Sequence, residues 1–189
     1  MRIVAGELKG STLYIPEDKN TRPLKDITRE SIFNVLTHSN KIVLQLKESK
    51  ILDLYAGTGS FGLECISRGA ESVCFVEKRK EAVKILQKNI NKLKVNNKIK
   101  VFFDDIFKLI EKQNIFKSKF NLIFCDPPFK DKNIEELIEL VFNKNLLDES
   151  GIIVLHRKKS SRETLPNYFK VLDEKIYGIS KIIFGKFLS

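Results

Sequence analysis

Short apolar runs alternate with amphipathic segments through most of this chain, from residue 51 to residue 156. The apolar runs predict β-strands, and the segments with apolar residues every three or four positions predict helices. The predicted strands are 51–55, 72–77, 100–104, 120–125 and 151–156, and the predicted helices are 60–69, 78–94, 105–113 and 133–143. Two final β-like runs, 168–177 and 181–188, meet near Gly178 as a hairpin. This order predicts an α/β fold, a doubly wound Rossmann-like sheet of seven mostly parallel strands covered by helices on both faces.

The first forty residues follow a different pattern. Residues 2–15 predict a small β-hairpin whose turn contains Gly6 and Gly10. A polar loop follows, and at residue 27 a helical period begins, with Thr28 as a candidate N-cap and a polar patch at 37–41 as its end. The chain is therefore divided into an N-terminal hairpin-and-helix extension, residues 1–40, and a larger α/β domain, residues 41–189.

Charge is concentrated at the two ends of the chain. Of the formal charge of +10, residues 1–50 carry +3 and residues 156–189 carry +5. Basic ends on a near-neutral middle suit a polyanionic partner such as nucleic acid, although compositional drift towards lysine would also add basic residues.

Composition argues against several other classes of protein. No run of about 20 apolar residues could span a membrane, and the first ten residues lack the apolar core of a secretory signal. The three cysteines show no CxxC spacing and there are only two histidines, so we expect a cytoplasmic protein with reduced thiols and no metal site.

A glycine-rich turn follows the first predicted strand of the α/β domain. In LDLYAGTGSFG (52–62), Gly57, Gly59 and Gly62 match the G-x-G-x-x-G pattern that lets a backbone approach a nucleotide-like cofactor closely. Glu77 ends the next strand, 18 residues after Gly59, where its carboxylate can accept hydrogen bonds from both hydroxyls of a ribose. The pattern fits a nicotinamide dinucleotide or S-adenosylmethionine.

Acidic residues favour S-adenosylmethionine. Asp53 lies four residues before Gly57, where a carboxylate would repel a pyrophosphate but attract the α-ammonium group of S-adenosylmethionine. The alternative is that Asp53 only stabilises the turn. After the third strand, Asp105 is placed to meet the adenine amino group. Asp104 is adjacent, so the choice between the two stays open, and helix capping is the alternative for both.

The sequence CDPPF (125–129) follows the fourth strand, at the sheet edge where ligands bind in doubly wound folds. Pro127 and Pro128 fix the backbone and remove two N–H donors, which leaves carbonyl groups free to face the site. The Asp126 carboxylate and such a carbonyl could hold the two hydrogens of an exocyclic amine on a nucleic-acid base, with Phe129 stacked on the ring. The alternative is that the prolines end a strand and Asp126 caps the following helix.

These motifs resemble those of S-adenosylmethionine-dependent N-methyltransferases and, within them, the bacterial RsmD family. The resemblance covers essentially the full length, including MRIVAGELKG, TRPLKD-x-x-RESIFNVL (21–36), the glycine turn, VEK (76–78) and CDPPF. It implies methylation of the N2 amine of a guanine in 16S ribosomal RNA, free or within the small subunit, with S-adenosylhomocysteine as product. We also expect a monomer.

The resemblance also implies roles for individual residues. The implied cofactor-binding residues are Asp53, Tyr55, Ala56, Gly57, Thr58, Gly59, Glu77, Lys78, Asp105, Ile106 and Asp126; the implied guanine-binding, catalytic residues are Asp126, Pro127, Pro128 and Phe129; and the implied RNA-binding residues are Arg2, Lys9, Arg22 and Arg29.

The chain departs from the family pattern at three places. Phe129 stands where the family usually has tyrosine, His156 and Arg157 stand where it often has a Glu-His pair, and YGISKI stands for Y-G-D-T-x-L. The alternatives are a DNA or RNA adenine-N6 or cytosine-N4 methyltransferase with the same amine clamp, a non-catalytic RNA-binding relative, and a dehydrogenase.

Overall fold

The computed structural model describes residues 1–16, 24–112 and 115–188. Its strands are β1 (Lys50–Leu54), β2 (Ser72–Val76), β3 (Ile99–Phe102), β4 (Phe120–Cys125), β5 (Leu147–Lys158), β6 (Phe169–Tyr177) and β7 (Ser180–Phe187). Its α-helices are α1 (Asp26–His38), α2 (Ser60–Ser67), α3 (Lys80–Leu93), α4 (Ile106–Glu111) and α5 (Ile134–Asn143).

The strands form one seven-stranded sheet in the order β3-β2-β1-β4-β5-β7-β6. The first five strands are parallel, and β7 pairs antiparallel with both β5 and β6. The predicted seven-stranded, mostly parallel α/β fold is therefore confirmed. The strand order reverses between β1 and β4, so the loops after these two strands meet at the carboxyl edge of the sheet, where such folds bind ligands.

Alternating side chains of the strands supply two hydrophobic cores, one on each face of the sheet. Ile51 and Phe124 belong to the core that contains α1, α2 and α3, whereas Leu52 and Cys125 belong to the core that contains α4 and α5. Because both faces are covered, the strands read as nearly continuous apolar runs.

The predicted element boundaries are close to the observed ones, with two informative differences. β4 has the predicted bounds, but β5 begins at Leu147, before the predicted start at 151, because Leu147 pairs with Phe120 ahead of a register shift. Thr28 is not an N-cap: α1 begins at Asp26, and Thr28 lies buried inside its first turn.

The N-terminal segment is bound to the α/β domain by polar contacts with α2. The carboxylate of Glu64 accepts hydrogen bonds from the backbone N–H groups of Val4 and Ala5 at 2.8 and 2.9 Å. The Ser67 hydroxyl accepts another from the N–H group of Leu8. The predicted hairpin contains one antiparallel bridge, between residues 2 and 12. Apolar side chains of this segment share the first core, and the division after residue 40 stays a prediction.

Candidate active site

A cavity of about 700 Å³ opens at the carboxyl edge of the sheet, where β1 and β4 end. Most of the predicted site residues lie in its wall. They are Asp53, Tyr55, Ala56, Gly57, Thr58, Glu77, Lys78, Asp126, Pro127, Pro128 and Phe129. The wall does not include Gly59, Asp105 or Ile106. The sequence motifs at the ends of three separate strands thus meet in one cavity of the size that usually holds a small organic ligand.

The glycine turn between β1 and α2 is held in an unusual backbone conformation. Tyr55, Gly57 and Gly59 have φ angles of 60°, 56° and 81°, in the left-handed region that glycine adopts without steric cost. The Asp53 carboxylate accepts a hydrogen bond of 3.0 Å from the N–H group of Gly62, in the first turn of α2. Asp53 therefore does stabilise the turn, as the alternative interpretation predicted. It also lies in the cavity wall.

Asp53 is almost completely buried, and its environment disfavours the ionised form of its own carboxyl group. Burial raises the pKa of Asp53 well above its ordinary value, the hydrogen bond from Gly62 opposes that shift, and the nearby carboxylates of Asp126 and Glu77 add to it. A positively charged ligand group in the cavity would therefore favour the ionised form of Asp53.

The Glu77 carboxylate, at the end of β2, holds the glycine turn through a hydrogen bond. One of its oxygens accepts a 2.8 Å hydrogen bond from the N–H group of Gly57, and the other accepts from the backbone and side chain of Arg79 at 2.8 and 3.1 Å. These hydrogen bonds fix the carboxylate, and Glu77 is buried yet lines the cavity, as its predicted contact with a ribose requires.

Asp104 and Asp105 have different surroundings. The side chain of Asp105 caps α4 through the N–H group of Phe107 and forms a 3.0 Å ion pair with Lys78, which lines the cavity. Asp104 instead pairs with Lys112. Helix capping by Asp105 is thus observed, and Asp105 is connected to the cavity through Lys78.

The turn formed by residues 126–129 presents hydrogen-bond acceptors to the cavity. One oxygen of the Asp126 carboxylate lies 2.7 Å from Nδ1 of His156, and the other forms no hydrogen bond among the described residues. The Pro128 carbonyl accepts from the N–H group of Asp131 at 2.8 Å, whereas the Pro127 carbonyl accepts no hydrogen bond within the described chain. The half-buried ring of Phe129 also lines the cavity.

Asp126 does not cap the helix that follows the turn. α5 begins at Ile134, and its N-cap residue, Asn133, makes no side-chain capping hydrogen bond. The N–H group of Asn133 is bound by Asp131 at 2.9 Å. The helix-capping alternative for Asp126 is therefore wrong, because the intervening turn separates this carboxylate from the helix.

Two residues at the carboxyl end of β5, His156 and Arg157, contact the turn formed by residues 126–129 and the residue pair that follows it. His156 contacts Asp126 through Nδ1 and lies 2.8 Å from the Ser180 hydroxyl through Nε2. The next side chain points to the opposite face, as strand geometry requires. The guanidinium of Arg157 donates to the carbonyls of Pro128 and Asp131, at 3.4 and 2.6 Å. No role was predicted for either residue, although their position at the end of a parallel strand was a usable signal.

The predicted RNA-contacting residues have different environments. Arg2 and Lys9 are exposed, as an RNA contact requires, and Arg22 lies outside the described residues. The prediction for Arg29 is wrong: its side chain is fully buried, and it contacts the carboxylates of Asp26 and Glu64.

The sequence-based prediction also missed a basic residue at the cavity. Lys25, just before α1, is exposed and lines the cavity together with Leu24 and Thr28. It lies in the TRPLKD stretch, which was recognised as a motif without a role for its lysine.

The sequence was then compared with known proteins. A protein-family profile described as "Conserved hypothetical protein 95" matches residues 1–186. Proteins named "Ribosomal RNA small subunit methyltransferase D" from Haemophilus influenzae and Escherichia coli are both 31% identical to this chain, over 95% and 94% of it and over 90% and 85% of their own lengths. The chain belongs to the RsmD family. The resemblance inferred from the motifs is thereby confirmed.

Solved structures agree with the fold. The Escherichia coli protein yhhF superposes with a TM-score of 0.85 at 25% identity, over 100% of this chain and 98% of that one. The protein SMU.776, solved as a complex with SAH, has a TM-score of 0.65 at 14% identity, over 84% of this chain and 48% of its own. No described helix is long and apolar enough to cross a membrane. No group of three or more His, Cys, Asp or Glu side chains in residues 1–16, 24–112 and 115–188 could hold a metal ion.

Proposed function

We propose that this RsmD-family protein transfers a methyl group from S-adenosylmethionine to the exocyclic N2 amine of a guanine in 16S ribosomal RNA. The observation that carries the proposal is the pair of acceptors in the turn after β4. One oxygen of Asp126 and the Pro127 carbonyl have no partner among the described residues, and both residues line the cavity that the glycine turn also lines.

The cavity suits S-adenosylmethionine. Its ribose has two hydroxyl donors, and Glu77 supplies a buried carboxylate held in place by Gly57. The α-ammonium group carries a positive charge, and it would favour the ionised form of the buried Asp53, whose pKa is raised by burial and by the nearby Asp126 and Glu77. Asp105, bonded to Lys78 at the rim, is the candidate partner of the adenine amine. The cofactor supplies an electrophilic methyl group, and the protein supplies position and charge.

An amine on a purine is a weak nucleophile because its lone pair is delocalised into the ring. Two acceptors that hold both N–H hydrogens favour a pyramidal nitrogen, whose lone pair then points out of the ring plane. Asp126 and the Pro127 carbonyl can provide this pair, and Phe129 can stack on the ring, worth about 1–3 kcal/mol by comparison with other base–aromatic contacts. As the nitrogen gains positive charge, the Asp126 carboxylate stabilises that charge and can accept the proton that is released.

The ribosomal RNA substrate is supported by family membership and by the basic surface. Two relatives at 31% identity carry the name of a small-subunit ribosomal RNA methyltransferase, and the chain covers 85% or more of their lengths. Arg2 and Lys9 on the N-terminal segment are exposed, and Lys25 reaches the cavity itself. These residues would bind RNA phosphates while the target base enters the cavity.

The test is an Asp126→Ala variant assayed with 16S RNA and with assembled small subunits from a strain that lacks this gene. We expect wild-type protein to form N2-methylguanine, identified by nucleoside mass spectrometry, and the variant to form none while its affinity for S-adenosylhomocysteine stays within about threefold. Glu149→Ala, exposed at the opposite edge of the sheet, is the matched control.

The alternative functions that involve RNA give different results in this assay. Methylated adenine or cytosine would replace the guanine assignment with another amine substrate. No methylation of either RNA form, together with intact S-adenosylhomocysteine binding, would favour a non-catalytic RNA-binding protein. Equal loss of cofactor binding and activity in Asp126→Ala would contradict the amine clamp.

A further inference from the structure

We propose that His156 is a positioning residue for the methyl transfer: it fixes one oxygen of Asp126 by a hydrogen bond, so that the other oxygen faces the amine. The inference rests on the proposed function. The sequence motifs gave this side chain no role. The imidazole of His156 joins Asp126 and Ser180 in a three-residue chain, with distances of 2.7 and 2.8 Å.

The chemistry of the contact sets the direction of its hydrogen bonds. An ionised carboxylate only accepts hydrogen bonds, so Nδ1 of His156 must carry the hydrogen in the contact with Asp126. Nε2 then accepts from the Ser180 hydroxyl when the ring is neutral and donates to it when the ring is charged. Because a hydroxyl can do both, Ser180 keeps the ring in one orientation in either state, and Nδ1 remains a donor.

The sheet register brings the three residues together without help from flexible loops. Cys125 pairs with Leu155 in the parallel ladder, so the residues that follow them, Asp126 and His156, lie side by side. Ser180 opens β7 opposite Lys158, which places it diagonally across from His156 on the same face of the sheet. The imidazole is about nine-tenths buried, so water competes weakly for these contacts.

Without this donor, the Asp126 carboxylate would have no fixed partner among the described side chains. Its carboxylate could then rotate, and the second oxygen would no longer be held in one direction in the cavity. The ring of Phe129 packs edge-on against the imidazole, with centroids 5.3 Å apart, so the same histidine also limits the motion of the ring proposed to stack on the base. His156 therefore supports both the acceptor and the stacking surface of the clamp.

The kinetic test compares His156→Leu, which removes the donor, with His156→Asn, whose amide can place an N–H group near the former Nδ1. We expect the leucine variant to lose about 10- to 100-fold in kcat, the effect of losing a hydrogen bond to a charged group. The asparagine variant should recover most of that loss. Affinity for S-adenosylhomocysteine, measured by calorimetry, should stay within about threefold in both, which also shows that they are folded. Equal kcat values for His156→Leu and wild type, or no difference between Leu and Asn, would overturn the proposal.

A second measurement needs no RNA. The Nδ1–H proton of His156 should appear in the NMR spectrum of the wild-type protein as a low-field, slowly exchanging signal, lost in Asp126→Ala and weakened in Ser180→Ala. Absence of this signal in the wild type, or its persistence in Asp126→Ala, would show that the donor does not bind Asp126. If the NMR result holds but no RNA is methylated by wild type, the proposed function fails while the hydrogen-bond assignment stands.

Discussion

Replacing the buried Arg29 distinguishes a structural role from the RNA contact that its sequence motif suggested. Its guanidinium donates to the carboxylate of Asp26 and to the backbone carbonyl of Arg2, and it lies 3.6 Å from the carboxylate of Glu64. Both Arg29 and Glu64 have fully buried side chains. Arg29→Met keeps an unbranched but shorter side chain and removes the charge and all of the donors.

The magnitude follows from what each group loses. Breaking a buried ion pair typically costs about 3–5 kcal/mol, because one charge is left without a partner. In this variant Glu64 would still have its ion pair with Arg68 at 2.9 Å and its hydrogen bonds from the N–H groups of Val4 and Ala5. The charge of Glu64 would therefore remain compensated. In addition, Nε and Nη1 of Arg29 have no hydrogen-bond partner in the described part of the chain, and removing them relieves a desolvation penalty. We therefore expect a smaller loss, about 2–3 kcal/mol.

For a protein of this size the expected loss lowers the midpoint of thermal unfolding by about 4–12 °C. Urea and thermal unfolding followed by circular dichroism measure it, with Arg2→Met, an exposed arginine on the same segment, as the control that should change stability little. RNA affinity, measured well below both midpoints, should fall for Arg2→Met and not for Arg29→Met. An Arg29→Met protein that keeps its stability within about 0.5 kcal/mol but loses RNA affinity would refute the structural role.

Three further predictions concern the cofactor site and the RNA surface. Asp105→Ala should lower affinity for S-adenosylhomocysteine about tenfold, whereas Asp104→Ala should leave it unchanged; the reverse order in calorimetry would transfer the adenine contact to Asp104. Gly62→Ala should destabilise the protein by about 1–3 kcal/mol in urea unfolding, because the added Cβ would overlap the ring of Phe75 in β2. An unchanged midpoint would show that the core can rearrange to make room for the methyl group. Replacing Arg2 and Lys9 together with alanine should reduce the slope of log K against log salt for RNA binding by about one to two, and an identical slope would remove both from the RNA interface.

The sequence contained enough information for the order of elements and for the motifs at the strand ends. Apolar runs alternating with amphipathic helices predicted a parallel sheet, because only a strand covered on both faces tolerates such continuous hydrophobicity. The glycine pattern, Glu77 and the residues of CDPPF each depend on local backbone chemistry, and the structure brings Gly57, Glu77 and residues 126–129 together in the wall of one cavity. Such motifs can be recognised in a single sequence, because each depends only on residues that are close together along the chain.

Only the tertiary structure showed which side chains that are distant in the sequence contact each other. Nothing in the sequence distinguishes Arg29, which is buried against Glu64, from Arg2, which is exposed, because burial depends on how the N-terminal segment packs on α2. The contact of His156 with Asp126 arises from the register of β4 and β5, and its contact with Ser180 from the returning hairpin. Residues 24 and 30 positions apart meet there because long-range strand pairing, which no local pattern records, sets the geometry of the site.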